Sequence, residues 1–240
     1  MGKIFLVASG KGGVGKTIFT SNMGATFAER GAKVALVDMN VGLRNLDIYM
    51  GLQDKVIFDV ADVTDGVVQP KRALIKDKRF QGLYMIATTQ KKEKFKATEP
   101  DIKMLYDYLR KSFDFIIVDG PAGIGQDLLL AACDVDMAVV ITTPEYVSLR
   151  DADMVEQTLR RNGLGNRVYV VNKYHKDFMS SGILPTVETI TSTMKIPLLG
   201  VIQHDDAIHL AANSGVPVVY QNDNYIERNF SKMADRLLKY

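Results

Sequence analysis

Residues Gly10 to Thr17 read Gly-Lys-Gly-Gly-Val-Gly-Lys-Thr, a run that restricts the chain to folds in which a buried strand turns through glycines into a helix. The pattern G-x-x-x-x-G-K-[ST] has a mechanism: glycines let main-chain N–H groups turn inward around a β-phosphate, the lysine reaches the β- and γ-phosphates, and the hydroxyl ligates Mg²⁺. Lys16 and Thr17 fill the last two roles, and the helix that follows adds the positive end of its dipole. The setting agrees with this. Lys3 to Ser9 is a short apolar strand, and Lys16 to Arg30 has helical periodicity through Phe19, Met23 and Phe27. Gly10, Lys11, Gly12, Gly13, Val14, Gly15, Lys16 and Thr17 form the candidate phosphate cradle.

The same residues also spell Gly10-x-Gly12-x-x-Gly15, a dinucleotide fingerprint, and Asp38 ends the next strand about where a ribose-binding acid would stand. Lys16 and Thr17 decide between the two. A pyrophosphate on a helix end needs neither a lysine nor a magnesium ligand there, whereas a triphosphate with Mg²⁺ needs both. A glycine-rich turn without a ligand would explain the glycines but not the lysine and threonine in register with a strand and a helix.

Apolar strand-like runs recur at 33–38, 83–87, 115–119, 137–142, 167–172 and 197–202. Most are continuous rather than alternating, as in strands buried on both faces of a parallel sheet. Helical patterns fill the gaps at 99–111, 125–133, 147–162, 186–194, 206–213 and 226–240. This alternation predicts an α/β fold, a doubly wound, mostly parallel sheet flanked by helices, with ligands held at the carboxyl ends of the strands. With no Pro/Gly/Ser linker and no repeat, residues 1–240 read as a single domain.

Composition narrows the function classes. A net charge of +2 is too small to make nucleic acid or an anionic membrane the expected main partner. A single cysteine, Cys133, rules out a disulfide framework within the chain and fits a reducing cytoplasm. No run approaches the roughly 18 apolar residues of a membrane span. The expectation is a cytoplasmic protein.

Asp119 ends the most apolar strand and is followed by Gly-Pro-Ala-Gly. An acid there is placed to hold Mg²⁺, and the glycines after it suggest a segment that moves with the γ-phosphate. The competing reading is an aspartate that caps the next helix.

Several segments together carry a resemblance that covers almost the whole chain. They are Lys11 inside the loop, the turn after Asp38, Gly42 to Asp47, Ala73 to Arg79, Asp119 to Ile124, Thr143 to Asp153, Gly200 to Ile202 and Gly215 to Pro217. The chain resembles the MinD family of cell-division-site ATPases, part of the deviant Walker A group that also holds ParA partition proteins and the nitrogenase iron protein. The resemblance implies an ATP-dependent homodimer in which Lys11 of one subunit reaches the phosphates bound by the other, and a division inhibitor or activator docking on that dimer. Two like-charged lysines near one loop make physical sense once a triphosphate supplies the negative charge. The resemblance also assigns Asp38 and position 40 to catalysis, position 18 to the α-phosphate, and Asn172 to the adenine amide contact, with a strand-end turn residue as the plain alternative for Asn172.

Three positions depart from the family pattern. Asn40 stands where an aspartate usually helps position or activate the attacking water; an amide holds a water but cannot take its proton. Weak hydrolysis with intact ATP binding is the expectation. Ile18 lacks the usual threonine hydroxyl, and Gln203 replaces a proline. The family's membrane contact is a basic amphipathic helix beyond the last domain helix. Here the final segment has Ile226, Phe230, Met233, Leu237 and Leu238 on one face and Arg228, Lys232, Arg236 and Lys239 on the other. It suits a membrane surface, but packing on its own sheet is the expected use. The Lys91 to Lys96 run reads as a solvated loop, and His175, His204 and His209 lack metal-ligand spacing.

Other function classes share the loop. A partition or flagellar-positioning ATPase is the nearest. A reductase like the nitrogenase iron protein needs two cysteines per subunit for a shared cluster, and one is present. A small-molecule kinase would need an acceptor site for which no insertion is evident.

Overall fold

Eight strands hydrogen-bond into one sheet in the order β3-β4-β2-β5-β1-β6-β7-β8. The computed structural model describes residues 1–175, 184–221 and 225–240. The strands are β1 (Lys3–Ser9), β2 (Val34–Asp38), β3 (Ile75–Lys76), β4 (Leu83–Ile86), β5 (Phe115–Ala122), β6 (Met137–Thr142), β7 (Arg167–Tyr174) and β8 (Leu198–Gln203). All pairings are parallel except β3 on β4. The helices between them are α1 (Lys16–Glu29), α2 (Leu46–Tyr49), α3 (Val60–Thr64), α4 (Pro70–Ala73), α5 (Glu99–Arg110), α6 (Gln126–Ala131), α7 (Tyr146–Arg161), α8 (Val187–Met194), α9 (Asp206–Asn213) and α10 (Tyr225–Leu237).

Every residue of β2 and β6 is buried, because helices cover both faces of the sheet. Alternation then sorts side chains into two cores. Phe5 and Val7 of β1 join Phe19, Met23 and Phe27 of α1 and Phe230 and Met233 of α10 on one face. Ile4, Leu6 and Ala8 join Ile102, Leu105 and Leu109 of α5 and Leu149, Val155 and Leu159 of α7 on the other. On the first face Phe27 stacks on Phe115 with ring centroids 4.3 Å apart, a pair worth about 0.5–1.5 kcal/mol beyond its area.

The apolar stripe of α10 is consumed by this core: Ile226, Phe230, Met233, Ala234 and Leu237 are all buried. The stripe thus takes its expected use of packing on the chain's own fold, with Phe230 against Phe19 of α1 at 5.9 Å and Asp235 paired with Arg30 at 2.7 Å, while Leu238 stays exposed. Among the described residues no helix is long and apolar enough to cross a membrane.

The Ala73 to Arg79 segment, which reads as a family signature, turns out to be a structural knot. After the short antiparallel β3, Asp77 lies 1% exposed and takes two bonds from the Arg79 guanidinium, 3.0 Å from Nε and 2.6 Å from Nη2, besides one from the Arg79 main-chain N–H at 2.8 Å. The same guanidinium donates to the Gly215 carbonyl at 2.7 Å and to the carbonyl of Met50 just beyond α2. It therefore ties three separate stretches of chain. Gly51 and Gly215 approach so closely here that a Cβ on Gly51 would lie 2.8 Å from the Gly215 oxygen. The φ values of both are positive, 59° and 69°, so no residue with a side chain fits either place without strain.

Candidate nucleotide site

β1 lies between β5 and β6 in the middle of the sheet, so the glycine loop emerges where ligands of a doubly wound fold collect. Gly13 and Gly15 adopt φ of +76° and +100°, values that favour glycine. The loop is packed at its two ends, Gly10 and Gly15, and open between them at Gly12 and Gly13. A Cβ on Gly10 would strike the Asp151 main chain at 2.5 Å, and one on Gly15 the Asn172 amide nitrogen at 2.1 Å, while at Gly12 and Gly13 it would meet nothing within 4 Å. α1 begins at Lys16 with no side-chain cap and no acid in its first turn. Its N–H groups and dipole are thus available to an anion.

Lys16 is only 6% exposed, and its Nζ reaches the Ser9 hydroxyl at 3.0 Å. That hydroxyl in turn donates to the Lys11 carbonyl at 2.8 Å. Burial pushes the Lys16 amine below its ordinary pKa, against the pull of Asp119 and Asp38. Across from it, Thr17 Oγ1 donates to Asp119 Oδ2 at 2.6 Å and Thr20 Oγ1 to Oδ1 at 3.3 Å. Asp38 and Asp119 are direct neighbours in the β2–β5 register. Both carboxyls are pushed up by burial, and Asp38 further by Asp119; the Thr17 bond and Lys16 work against the rise at Asp119.

The donor set fits the groups the loop implies. A threonine hydroxyl beside a carboxylate offers hard oxygen ligands of the kind Mg²⁺ takes alongside phosphate oxygens. Among the described residues no group of three or more His, Cys, Asp or Glu side chains is arranged for a metal, so Thr17 and Asp119 would share the ion with the nucleotide. The three imidazoles lie against one another instead, His175 stacked on His204 at 4.1 Å between centroids and His209 tilted against His204 at 5.5 Å.

The structure places the other expected residues as follows. Asp38 is fully buried and accepts from the main-chain N–H of Asn40 at 2.9 Å and of Leu46 at 3.3 Å. Its visible work is to hold the turn that carries Asn40. Ile18 turns its side chain into the apolar core, 8% exposed beside Val14 and Phe19, so only its main chain faces the loop. Asn172 donates from Nδ2 to the Val14 carbonyl at 2.7 Å. Lys11 pairs with Glu145 of its own subunit at 2.8 Å. The segment after Asp119 differs from expectation: β5 continues to Ala122 with Gly120 and Pro121 buried. A Cβ on Gly120 would sit 2.7 Å from the Val7 oxygen, so the exposed turn begins only at Gly123, whose φ is +96°.

Four contributors escaped the sequence reading: Ser9, Thr20, Glu145 and Lys173, the last donating from Nζ to the Gly13 carbonyl at 2.8 Å. Thr20 had a signal, since it lies three residues after Thr17 on the same helix face. Glu145 lies within the Thr143 to Asp153 segment and Lys173 beside Asn172, but nothing in the sequence pairs either with the loop.

The comparisons with known proteins agree with this geometry. A family model described as ParA, the NUBPL iron-transfer P-loop NTPase, matches residues 1–238. The septum site-determining protein MinD of Bacillus subtilis is 37% identical over 99% of this chain and 90% of its own. MinD in the MinC:MinD cell division protein complex of Aquifex aeolicus superposes with a TM-score of 0.92 at 32% identity, over 99% of this chain and 96% of that one. The Pyrococcus horikoshii MinD complexed with Mg-ADP does so with 0.88 at 29% identity, over 99% and 96%. The Lys16–Thr17–Asp119 set on a mostly parallel eight-stranded sheet, together with full-length similarity at this level, shows that the chain belongs to the MinD family of P-loop ATPases.

Proposed function

We propose that this chain is a nucleotide-switched dimer that marks the cell-division site by recruiting a division inhibitor. The observation that carries the reading is a glycine loop open at Gly12 and Gly13 that leads into a buried lysine, Lys16, with Thr17 bonded to the buried Asp119. That arrangement answers a triphosphate with a divalent ion better than any smaller ligand. Recruitment of an inhibitor is supported by the MinC:MinD complex formed by the Aquifex aeolicus relative. Iron transfer, named in the description of the matching family model, does not suit this chain. A dimer with one cysteine per subunit cannot assemble four thiolates.

In this reading the loop amides and Lys16 hold the β- and γ-phosphates, Thr17 and Asp119 hold Mg²⁺, and Asn172 faces the base side of the loop. Bound Mg²⁺ would neutralise charge on the β- and γ-oxygens. Lys11 leaves Glu145 and joins the partner's phosphates, which couples dimerisation to the triphosphate. Asn40, positioned through the Asp38 carboxylate, aligns the attacking water without accepting its proton. Turnover is therefore slow while binding and dimerisation persist.

Light scattering with ATP or ADP and Mg²⁺ tests the switch. The expected result is a dimer with ATP only, abolished in Lys11→Ala; a mass independent of nucleotide would overturn it. A phosphate-release assay tests Asn40. Loss of a positioned acid–base group costs about 10²–10⁴ in rate, so Asn40→Asp should speed hydrolysis by a factor of that order with little change in ATP affinity. Equal rates would reduce Asn40 to a turn residue.

A further inference from the structure

Successive residues of a β-strand point to opposite faces, yet Asn172 and Lys173, neighbours near the end of β7, both reach the phosphate loop. Asn172 Nδ2 donates to the Val14 carbonyl at 2.7 Å and Lys173 Nζ to the Gly13 carbonyl at 2.8 Å. The exception has a local cause. Val171 pairs with Val201 and Tyr174 with Gln203, so three steps along β7 face two along β8, a bulge of one residue. Bulges re-aim side chains and increase twist. Lys173 lies inside this one with φ of +56°, in the left-handed region that a side chain makes costly and glycine does not. A lysine held there against its backbone preference, with its amine on the loop, points to a task for the amine.

We infer that Lys173 is a positioning residue of the nucleotide site, acting on the direction of the loop's amides. In a planar trans peptide the N–H points away from the C=O of the same unit. The Gly13 carbonyl belongs to the peptide whose N–H is that of Val14, and the Val14 carbonyl to the peptide whose N–H is that of Gly15. Lys173 and Asn172 grip these two successive carbonyls. Together they turn the Val14 and Gly15 N–H groups the other way, toward the anion. Asn172 does this with a buried amide and Lys173 with a charged donor, the stronger of the two kinds. Neither Gly13 nor Gly15, both at positive φ, would hold these directions on its own. The loop is in this way pre-set before a phosphate arrives, and part of the ordering cost of binding is removed.

The inference rests on the loop being an ATP site, and the test separates the two claims. Lys173→Met, Lys173→Gly and Lys173→Arg are compared with wild type for binding of Mg·ATP and of Mg·tripolyphosphate by calorimetry, and for thermal unfolding without ligand. The expected result is a loss of about ten-fold or more for both ligands in the Met and Gly variants, the scale of one hydrogen bond from a charged donor. Arg should restore most of it. The Gly variant should unfold no lower than wild type, because the left-handed backbone suits glycine. Wild-type affinity in the Met and Gly variants would overturn the inference. So would a loss confined to ATP with tripolyphosphate unchanged, which would set the amine against the nucleoside, or a loss that appears only with a lowered unfolding temperature. Wild type binding neither ligand would instead defeat the nucleotide reading itself.

Discussion

Two of the places where the molecule buries charge lie at opposite ends of its sheet, and it treats charge differently in each. At the amino end, where Asp77 bonds to Leu83 at the start of β4, the carboxylate and the Arg79 guanidinium satisfy one another twice, and the remaining guanidinium donors find the Gly215 and Met50 carbonyls. At the carboxyl end, Lys16 reaches a serine hydroxyl while two carboxyls lie side by side in the register. The first cluster is closed and the second is left unbalanced. A buried charge pair by itself is therefore no sign of function, since its partners may complete it for the sake of the fold. What marks a site is a buried charge whose natural counterpart the chain does not supply.

Removing one member from each cluster should have opposite consequences. Lys16→Met should weaken Mg·ATP binding by about 10²–10⁴, the loss of two charge-assisted bonds, while leaving ligand-free unfolding unchanged or raised, because a desolvated ammonium gives way to an apolar chain. Calorimetry and thermal melts on one preparation check both halves; a marked drop in melting temperature would mean that Lys16 serves the fold. Asp77→Ala should behave the other way round. Loss of one partner of a buried pair costs about 3 kcal/mol at the lower end of the usual range, and Arg79, whose side chain is 24% exposed, can recover some hydration. The denaturant midpoint should fall accordingly, with ATP affinity of the folded protein nearly unchanged.

The smallest effect sharpens the contrast through pH. Burial raises the Asp38 and Asp119 pKa values above those of an unfolded chain, so within the window from the ordinary carboxylate range upward the folded state binds more protons. Stability of the ligand-free protein then falls as pH rises through that window. Asp38→Asn should flatten the slope of melting temperature between about pH 5 and about pH 8. Identical slopes in wild type and Asp38→Asn would show that the carboxyl pair is electrostatically balanced after all.

The central sheet was legible because its strands are continuous apolar runs and its helices carry a 3.6-residue period. β6 was read as 137–142 and is Met137–Thr142; α9 was read as 206–213 and is Asp206–Asn213. The losses were at short or composite pieces. β3 has two residues and α2 to α4 four or five each, too few for any periodicity to register. β5 ran on through Gly120 and Pro121 because close packing of Gly120 on β1 overrides the turn signal of Gly-Pro. In the site, the loop residues and Asp119 were readable from adjacency in the chain. Glu145 and Lys173 were not, since what assigns them is a bond across the fold, 134 positions away for Lys11 and Glu145 and 160 for Gly13 and Lys173; Ser9, whose partners Lys11 and Lys16 are close in the chain, is a strand-end serine that no motif singles out.

The union of α1 with α10 has a practical consequence. The helix that starts at Lys16 is bolted to the last helix by Phe19 on Phe230 and by Arg30, which reaches both Ser231 and Asp235. The body of α10 is thereby held in a fixed direction relative to the phosphate loop. On the dimer proposed above, a dye on the exposed Lys232 of each subunit's α10 would act as a ruler, its reading set by how the two loops face one another.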